Sequence, residues 1–187
     1  MKRDLRIYLD LEYVYPEMTK ESGRPTAKNK RQVVQIAAIL FDNGRGEELE
    51  SFEVLTLPTF DRKLPDFFIQ LTGITQAQLD GKGIPFYQGF WQFMKFTREY
   101  AIWTFHLDQE VLEQNCGYLN IISPFKENFT RVKPLLPQWR INPDEYSSGT
   151  LYQAVGLDMN GHVHNALHDV RSMAHAVHIL EKGGKSP

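Results

Sequence analysis

Cysteine is almost absent. Cys116 is the only one in 187 residues, so no intramolecular disulfide can form and nothing points to an oxidising compartment. Long apolar runs are missing as well; none approaches the roughly 20 residues that a membrane span requires. Lys2, Arg3 and Arg6 give a basic start, but Asp4, Asp10 and Glu12 interrupt the apolar residues behind them, which argues against a secretory leader. The sequence shows no internal repeat and no low-complexity tract. A cytoplasmic protein of one domain over 1–187 is the expectation, with a basic insertion loop at 13–31 and a flexible tail at 183–187.

Net charge of either sign is also small. Lys and Arg total 21 against 23 Asp and Glu, a formal charge of −2. That excludes a protein coating nucleic acid tightly and without specificity, because such affinity comes from neutralised phosphates. It leaves room for a metal-dependent enzyme acting on nucleic acid, since four carboxylates committed to cations would turn the remainder positive.

What the chain does have is core material, with 42% hydrophobic and 12% aromatic residues. Residues 5–12 predict a first strand, the β-branched run Val33–Phe41 a central one, and residues 48–57 a third beyond an Asn43-Gly44 turn. Short helices are expected at 66–71 and 75–80, a longer one from Phe86 to Arg98, a strand at 100–105 and a helix at 108–117. The Pro-rich stretch 118–148 gives no clear pattern. Leu151 to Val155 reads as helical, and Asp169 to Lys182 as a terminal helix stopped by Gly183-Gly184. This order implies an α/β domain, a mixed β-sheet flanked by helices on both faces.

Asp10 and Glu12 are separated by one position on an apolar strand, so both carboxylates leave the same face while Leu9 and Leu11 point into the core. Like charges so close repel by roughly 1 kcal/mol in water and several-fold more near a protein surface. A divalent cation between them removes that repulsion; a solvated strand end is the plainer alternative. Asp108 follows an aromatic strand, where an acid suits either a helix N-terminus or a ligand role. His164 precedes Asp169 by five positions, with Asp169 opening an amphipathic helix. His162, His164, His168, His175 and His178 have spacings that zinc sites use, but no cysteine lies near them and only His164/His168 and His175/His178 could share a helix face.

Together these residues resemble the three motifs of the DEDDh 3′–5′ exonucleases, enzymes of the ribonuclease H-like fold. The motifs are Asp10-x-Glu12, the later Asp108, and Gly161-His162-Val163-His164-Asn165-Ala166-Leu167-His168-Asp169. The connecting text is similar too. Val34-Gln35-Ile36-Ala37-Ala38-Ile39-Leu40 resembles the family's second strand and Leu71-Thr72-Gly73-Ile74-Thr75 its Leu-Thr-Gly-Ile-Thr segment. Phe67-Phe68-Ile69-Gln70, with Gln76 after the Thr-Gly-Ile, looks most like the exoribonuclease branch that trims histone-mRNA and small-RNA 3′ ends. The likeness runs from about residue 5 to 181. Tyr13-Val14 stand where small Ala/Thr-type residues often follow the acidic pair, and Thr104-Phe105-His106-Leu107 where a Gly or Asn is common several residues before the aspartate.

The resemblance implies hydrolysis of single-stranded RNA or DNA from the 3′ end to nucleoside 5′-monophosphates, with two Mg²⁺ or Mn²⁺ ions. Asp10, Glu12, Asp108 and Asp169 are the implied metal ligands and His164 the general base. Asp10 would bridge both ions, Glu12 and Asp169 would complete one site, and Asp108 would act on the other through water. Tyr13, Phe68, Leu71 and Thr72 are candidate substrate contacts, and His168 reads as structural. A proofreading or repair exodeoxyribonuclease, and a catalytically idle nucleic-acid-binding module, are the alternative functions. Oligomeric state and protein partners are not written in the sequence, and no membrane partner is expected.

Overall fold

A computed structural model describes residues 3–14, 30–123 and 129–183. Most of the basic insertion expected at 13–31, including Lys20, Arg24 and Lys28, lies outside the described residues, as does the tail beyond Gly183. Tyr13 and Val14, placed in that loop by the sequence reading, instead extend the first strand.

Among the described residues six strands form one sheet in the order β4-β3-β2-β1-β5-β6. They are β1 (Leu5–Val14), β2 (Gln32–Asp42), β3 (Glu47–Leu57), β4 (Ile84–Pro85), β5 (Ala101–Thr104) and β6 (Phe129–Arg131). β1 pairs antiparallel with β2 and β2 with β3, whereas β5 runs parallel to β1 and β6 parallel to β5. The sheet is therefore mixed, and every residue of β2 is buried, as its β-branched composition predicts for a central strand.

Helices cover both faces. On one, α3 (Phe86–Thr97) and α4 (Asp108–Tyr118) bring Phe86, Phe90, Phe93, Val111 and Leu112 against Ile7, Leu9, Leu11 and Ile36. On the other, α5 (Ala166–Glu181) brings Val170, Met173 and Val177 against Tyr8, Ile39 and Phe41. The 3₁₀ segments Lys133–Trp139 and Ser148–Val155 pack there too, through Leu136 and Leu151. A third cluster forms where α1 (Asp66–Thr72) and α2 (Gln76–Lys82) cover Val14 and Val34 with Phe68, Ile74 and Leu79.

Strand alternation now places the acidic pair. Tyr8, Asp10, Glu12 and Val14 share a face of β1; Tyr8 belongs to the α5 cluster and Val14 to the α1–α2 cluster. Asp10 and Glu12 lie between, in the gap that neither helix layer fills. Burying Leu9 and Leu11 on the opposite face contributes about 1.5–3 kcal/mol each. A one-residue slip would forfeit that and turn both carboxylates away from the gap.

Several features differ from the sequence reading. β4 was not expected, and β6 and the 3₁₀ segment Lys133–Trp139 occupy the stretch that gave no pattern. The Leu151–Val155 helix is part of a longer 3₁₀ segment. Asp169 does not open α5: Asn165 caps it, its side chain accepting from His168 N at 3.2 Å, and Asp169 is the fourth helical residue. Among the described residues no helix is long and apolar enough to cross a membrane.

Candidate active site

A cleft of about 340 Å³ opens where the parallel strands β1 and β5 end, the usual place for a site in α/β sheets. Asp10, Glu12, Asp108, His164 and Asp169 all line it. β1 supplies Asp10 and Glu12, the first turn of α4 supplies Asp108, and the loop before α5 supplies His164.

Ligand oxygens of Asp10, Glu12 and Asp169 lie within 4.8 Å of one another, and all three residues are buried. Asp108 stands beside this trio rather than inside it. Burial is the largest reason their carboxyls hold protons, and mutual repulsion adds to it. Glu12 is pushed up to about 9 by burial, then by Asp169 and Asp108. Asp169 is pushed up to about 7 by burial, against hydrogen bonds from the His164 amide and Ser148. Asp10 is driven well above the carboxylate range by burial and by Asp108, Asp169 and Glu12. Burial raises Asp108 to about 6, its rise opposed by backbone amides of His106, Asp108 and Leu11.

Such a group is stable only with protons or a cation in it. Its donors are hard carboxylate oxygens, a set that can hold a divalent cation. His106 also lines the cleft, whereas His175 and His178 lie elsewhere. His175 and His178 pack edge-on against Phe41, at 5.2 and 6.3 Å between ring centroids.

Several residues that sequence reasoning missed hold the trio in place. Ser148 Oγ donates to Asp169 Oδ2 at 3.4 Å. Gly149 lies so close beneath Asp169 that a β-carbon there would come 2.3 Å from Oδ1. The Ser147–Thr150 capping box that starts this 3₁₀ segment was the available signal. Gln35 faces Glu12 across the β1–β2 ladder. Its Oε1 accepts from Ala166 N at 3.2 Å, satisfying an orphan amide of α5, and its Nε2 donates to Glu53 at 2.6 Å. α5, and Asp169 with it, is thereby tied to the sheet.

The His164 loop has its own supports. His164 adopts a left-handed backbone, φ 68°, and its amide donates to Asp169 Oδ1 at 3.3 Å. His162 Nε2 donates to Leu71 O at 3.0 Å, tethering the loop to α1. The His168 ring is buried against Gly161 and edge-on to Tyr152. Burial, then the neighbouring His162, lowers the His164 pKa.

The expected substrate contacts divide. Tyr13 sits at the cleft edge, its ring also packed against the α3–α4 cluster. Phe67, Phe68 and Leu71 all line the cleft; Leu71 is 44% and Phe67 39% exposed, whereas most of Phe68 is buried in the α1–α2 cluster. Thr72 is not among the lining residues. Its hydroxyl donates to Phe68 O at 2.9 Å and accepts from Ile74 N at 3.1 Å, closing the end of α1.

A Gly149→Ala variant tests how tightly Asp169 is held. The added methyl displaces the carboxylate, so catalytic turnover should fall about 10–100-fold, with a matching rise in the metal concentration for half-maximal rate. A metal titration of the rate checks both; an unchanged half-saturation point means Asp169 has room to spare.

The sequence profile of the family described as Exonuclease (RNase_T) matches residues 7–177. No curated protein matches the chain by sequence. Solved structures with the same fold include the rAMP-bound nuclease domain of 3′hExo, a DEDDh family member: TM-score 0.81 and 20% identity, over 99% of this chain and 96% of that one. Another is the 3′-exonuclease described in 3′-end-specific recognition of the histone mRNA stem-loop, at TM-score 0.80 and 21% identity, over 99% and 85%. The zinc-bound E. coli ExoI–ssDNA complex gives TM-score 0.70 and 15% identity, over 95% of this chain and 40% of that one. The ribonuclease H-like sheet expected from the motifs is thus the fold of these neighbours, and the profile match over nearly the whole chain settles the kinship: the protein belongs to the exonuclease family.

Proposed function

We propose that the chain is a divalent-metal-dependent exonuclease that removes nucleoside 5′-monophosphates from the 3′ end of single-stranded RNA. The observation that carries this reading is the buried trio Asp10, Glu12 and Asp169, whose oxygens converge within 4.8 Å at the floor of an open cleft. Asp10, Glu12 and Asp169 would hold one Mg²⁺ or Mn²⁺, and Asp10 with Asp108 a second. Bound there, the two cations would neutralise charge on the scissile phosphate and acidify a water molecule.

The protein's own groups do the rest. His164 is held neutral by burial and takes the proton from the attacking water. The His162–Leu71 bond keeps its loop against α1. Phe67 and Leu71 give the cleft an exposed apolar wall on which the terminal base rests, and Tyr13 lines the same cleft. Likeness in fold to 3′hExo bound to rAMP supports RNA as the substrate. The ssDNA complex of E. coli ExoI favours a second reading, an exodeoxyribonuclease with the same chemistry.

Single-stranded RNA and DNA labelled at the 5′ or the 3′ end separate these readings. With Mg²⁺ or Mn²⁺, 3′-labelled substrate should lose its label as mononucleotide at once, while 5′-labelled substrate shortens stepwise. A 3′-phosphate should block the reaction and a 5′-phosphate should not. Internal cuts, or no mononucleotide with either metal, overturn the proposal; faster loss of DNA than of matched RNA replaces it with the second reading.

A further inference from the structure

A run of aromatic and cationic side chains leads away from the cleft, and beyond Tyr13 it has no part in the function proposed above. It begins at Tyr13, where the Arg31 guanidinium stands 5.9 Å from the ring centroid. Arg31 also reaches Tyr118 at the end of α4: burial raises the Tyr118 hydroxyl pKa and the Arg31 charge opposes that rise. Beyond it, Lys30 Nζ lies 4.3 Å from the ring centroid of Phe60 and 4.9 Å from that of Tyr118. The two rings meet edge-on at 5.2 Å.

The run is built into the fold. Asn115 of α4 donates to Arg31 O at 3.0 Å, and the Gln32 side chain accepts from Phe60 N at 2.6 Å. Phe60 nevertheless stays 53% exposed, so core packing does not account for its ring. Local charge is positive although the whole chain is not. Lys30 and Arg31 are joined by Arg62 and Lys63 just after Phe60, against Asp61 and Asp66. α4 starts at the cleft with Asp108 and ends at Tyr118, about 15 Å away along the helix.

We propose that this run is the upstream part of the substrate path, holding the nucleotides that lie 5′ of the one being removed. Phe60 and Tyr118 offer ring surface to bases, and Lys30 and Arg31 offer charge to phosphates. This combination binds single strands with little regard to sequence, because every base has a stackable face. The inference rests on reading the cleft as the site that takes a single-stranded 3′ end. It explains how a chain of net negative charge grips an anionic polymer: the cations gather where the strand leaves the cleft.

Binding of dye-labelled single-stranded RNA of 3 and 12 nucleotides, followed by fluorescence anisotropy in metal-free buffer, tests it. The wild-type protein should bind the 12-mer at least about tenfold more tightly than the 3-mer. Phe60→Ala should weaken the 12-mer about 5–150-fold, in line with one stacked base, and the 3-mer less than twofold. Lys30→Gln should lower the salt slope of 12-mer binding by about 0.7, the share of one phosphate contact. Unchanged 12-mer affinity in Phe60→Ala together with an unchanged salt slope in Lys30→Gln overturns the platform, and folding of each variant is checked by its thermal midpoint. The two readings fail separately. Mononucleotide release with no length-dependent binding removes the platform alone, whereas Phe60-dependent binding of the 12-mer with no release in Mg²⁺ or Mn²⁺ removes the exonuclease alone.

Discussion

Asp10→Asn should lower mononucleotide release at least about a thousandfold at saturating Mg²⁺, and should also raise the thermal midpoint of the metal-free protein. The first effect follows from the position of Asp10, which contributes to the trio with Glu12 and Asp169 and also faces Asp108. A cation that stabilises the charge of phosphoryl transfer is worth several kcal/mol, and each 1.36 kcal/mol is tenfold in rate. The second effect has the opposite sign because, without metal, burial and mutual repulsion force these carboxyls to keep protons that the unfolded chain would release, and that costs stability at neutral pH. Amide for carboxyl removes one such group at nearly constant volume and eases the repulsion that Glu12 and Asp169 meet when they ionise. Loss of activity alone could mean a damaged fold; loss of activity with a gain in stability could not. A variant that is both inactive and less stable would show that Asp10 serves the fold instead.

The same cluster fixes a dependence on pH. Folding raises Glu12 to about 9, Asp169 to about 7 and Asp10 well above its ordinary value. Between the unfolded values near 4 and these folded ones, the native state holds more protons than the unfolded chain. The stability tied to those protons is complete below about pH 4 and is lost as pH rises through about 7 and then about 9. A divalent cation takes the place of the protons, so the gain in thermal midpoint on adding Mn²⁺ should grow between pH 6 and 9. Thermal melts in EDTA and in Mn²⁺ across that range measure it. Asp10→Asn should flatten the metal-free profile.

Asp10 and Glu12 were legible because β1 keeps a strict period of two; Leu9 and Leu11 in the core leave their partners only one face. The two ends of the constellation read from sequence for the same reason, each being local to its own element. What could not be read depends on elements meeting. Gln35 is a polar residue in an apolar strand, and its meaning appears only once Ala166 N is seen to need an acceptor. Ser148 and Gly149 sit in a 3₁₀ segment whose tighter winding matches neither a helical nor a strand period. β6 is three residues long and pairs only with β5 among the described strands, so its own sequence carries little signal. Phe67 and Phe68 adjoin in a seven-residue helix, too short for a period to say which ring is buried. α5 starts at Ala166 because Asn165 satisfies its amides, which shifts Asp169 from the first helical position to the fourth; the capping rule for Asn was available and the acidic residue obscured it.

His164→Ala should lower kcat about 10²–10⁴-fold at pH 7, the usual worth of a general base, and leave metal affinity within about twofold. The separation is possible because His164 meets the acidic trio through its backbone. It is the His164 amide, not the ring, that donates to Asp169 Oδ1, and alanine keeps that amide. The left-handed backbone at φ 68° does become less comfortable without the imidazole, so His164→Gly, which relaxes it, serves as the control for strain. Both variants should show the same loss. The pH profile supplies the signature of a base: burial lowers the His164 pKa below its ordinary value, so at saturating metal the wild-type rate should hold down to pH values under 6.5 and fall below that. Neither variant should retain that acid limb. His168 provides the contrast, its ring being enclosed by Gly161 and Tyr152. His168→Ala should cost thermal stability and leave kcat per folded molecule within about tenfold. If instead His168→Ala loses more turnover than His164→Ala, with both folded, then the proton leaves the water by way of His168, and the left-handed loop at His164 is there only to hold Asp169.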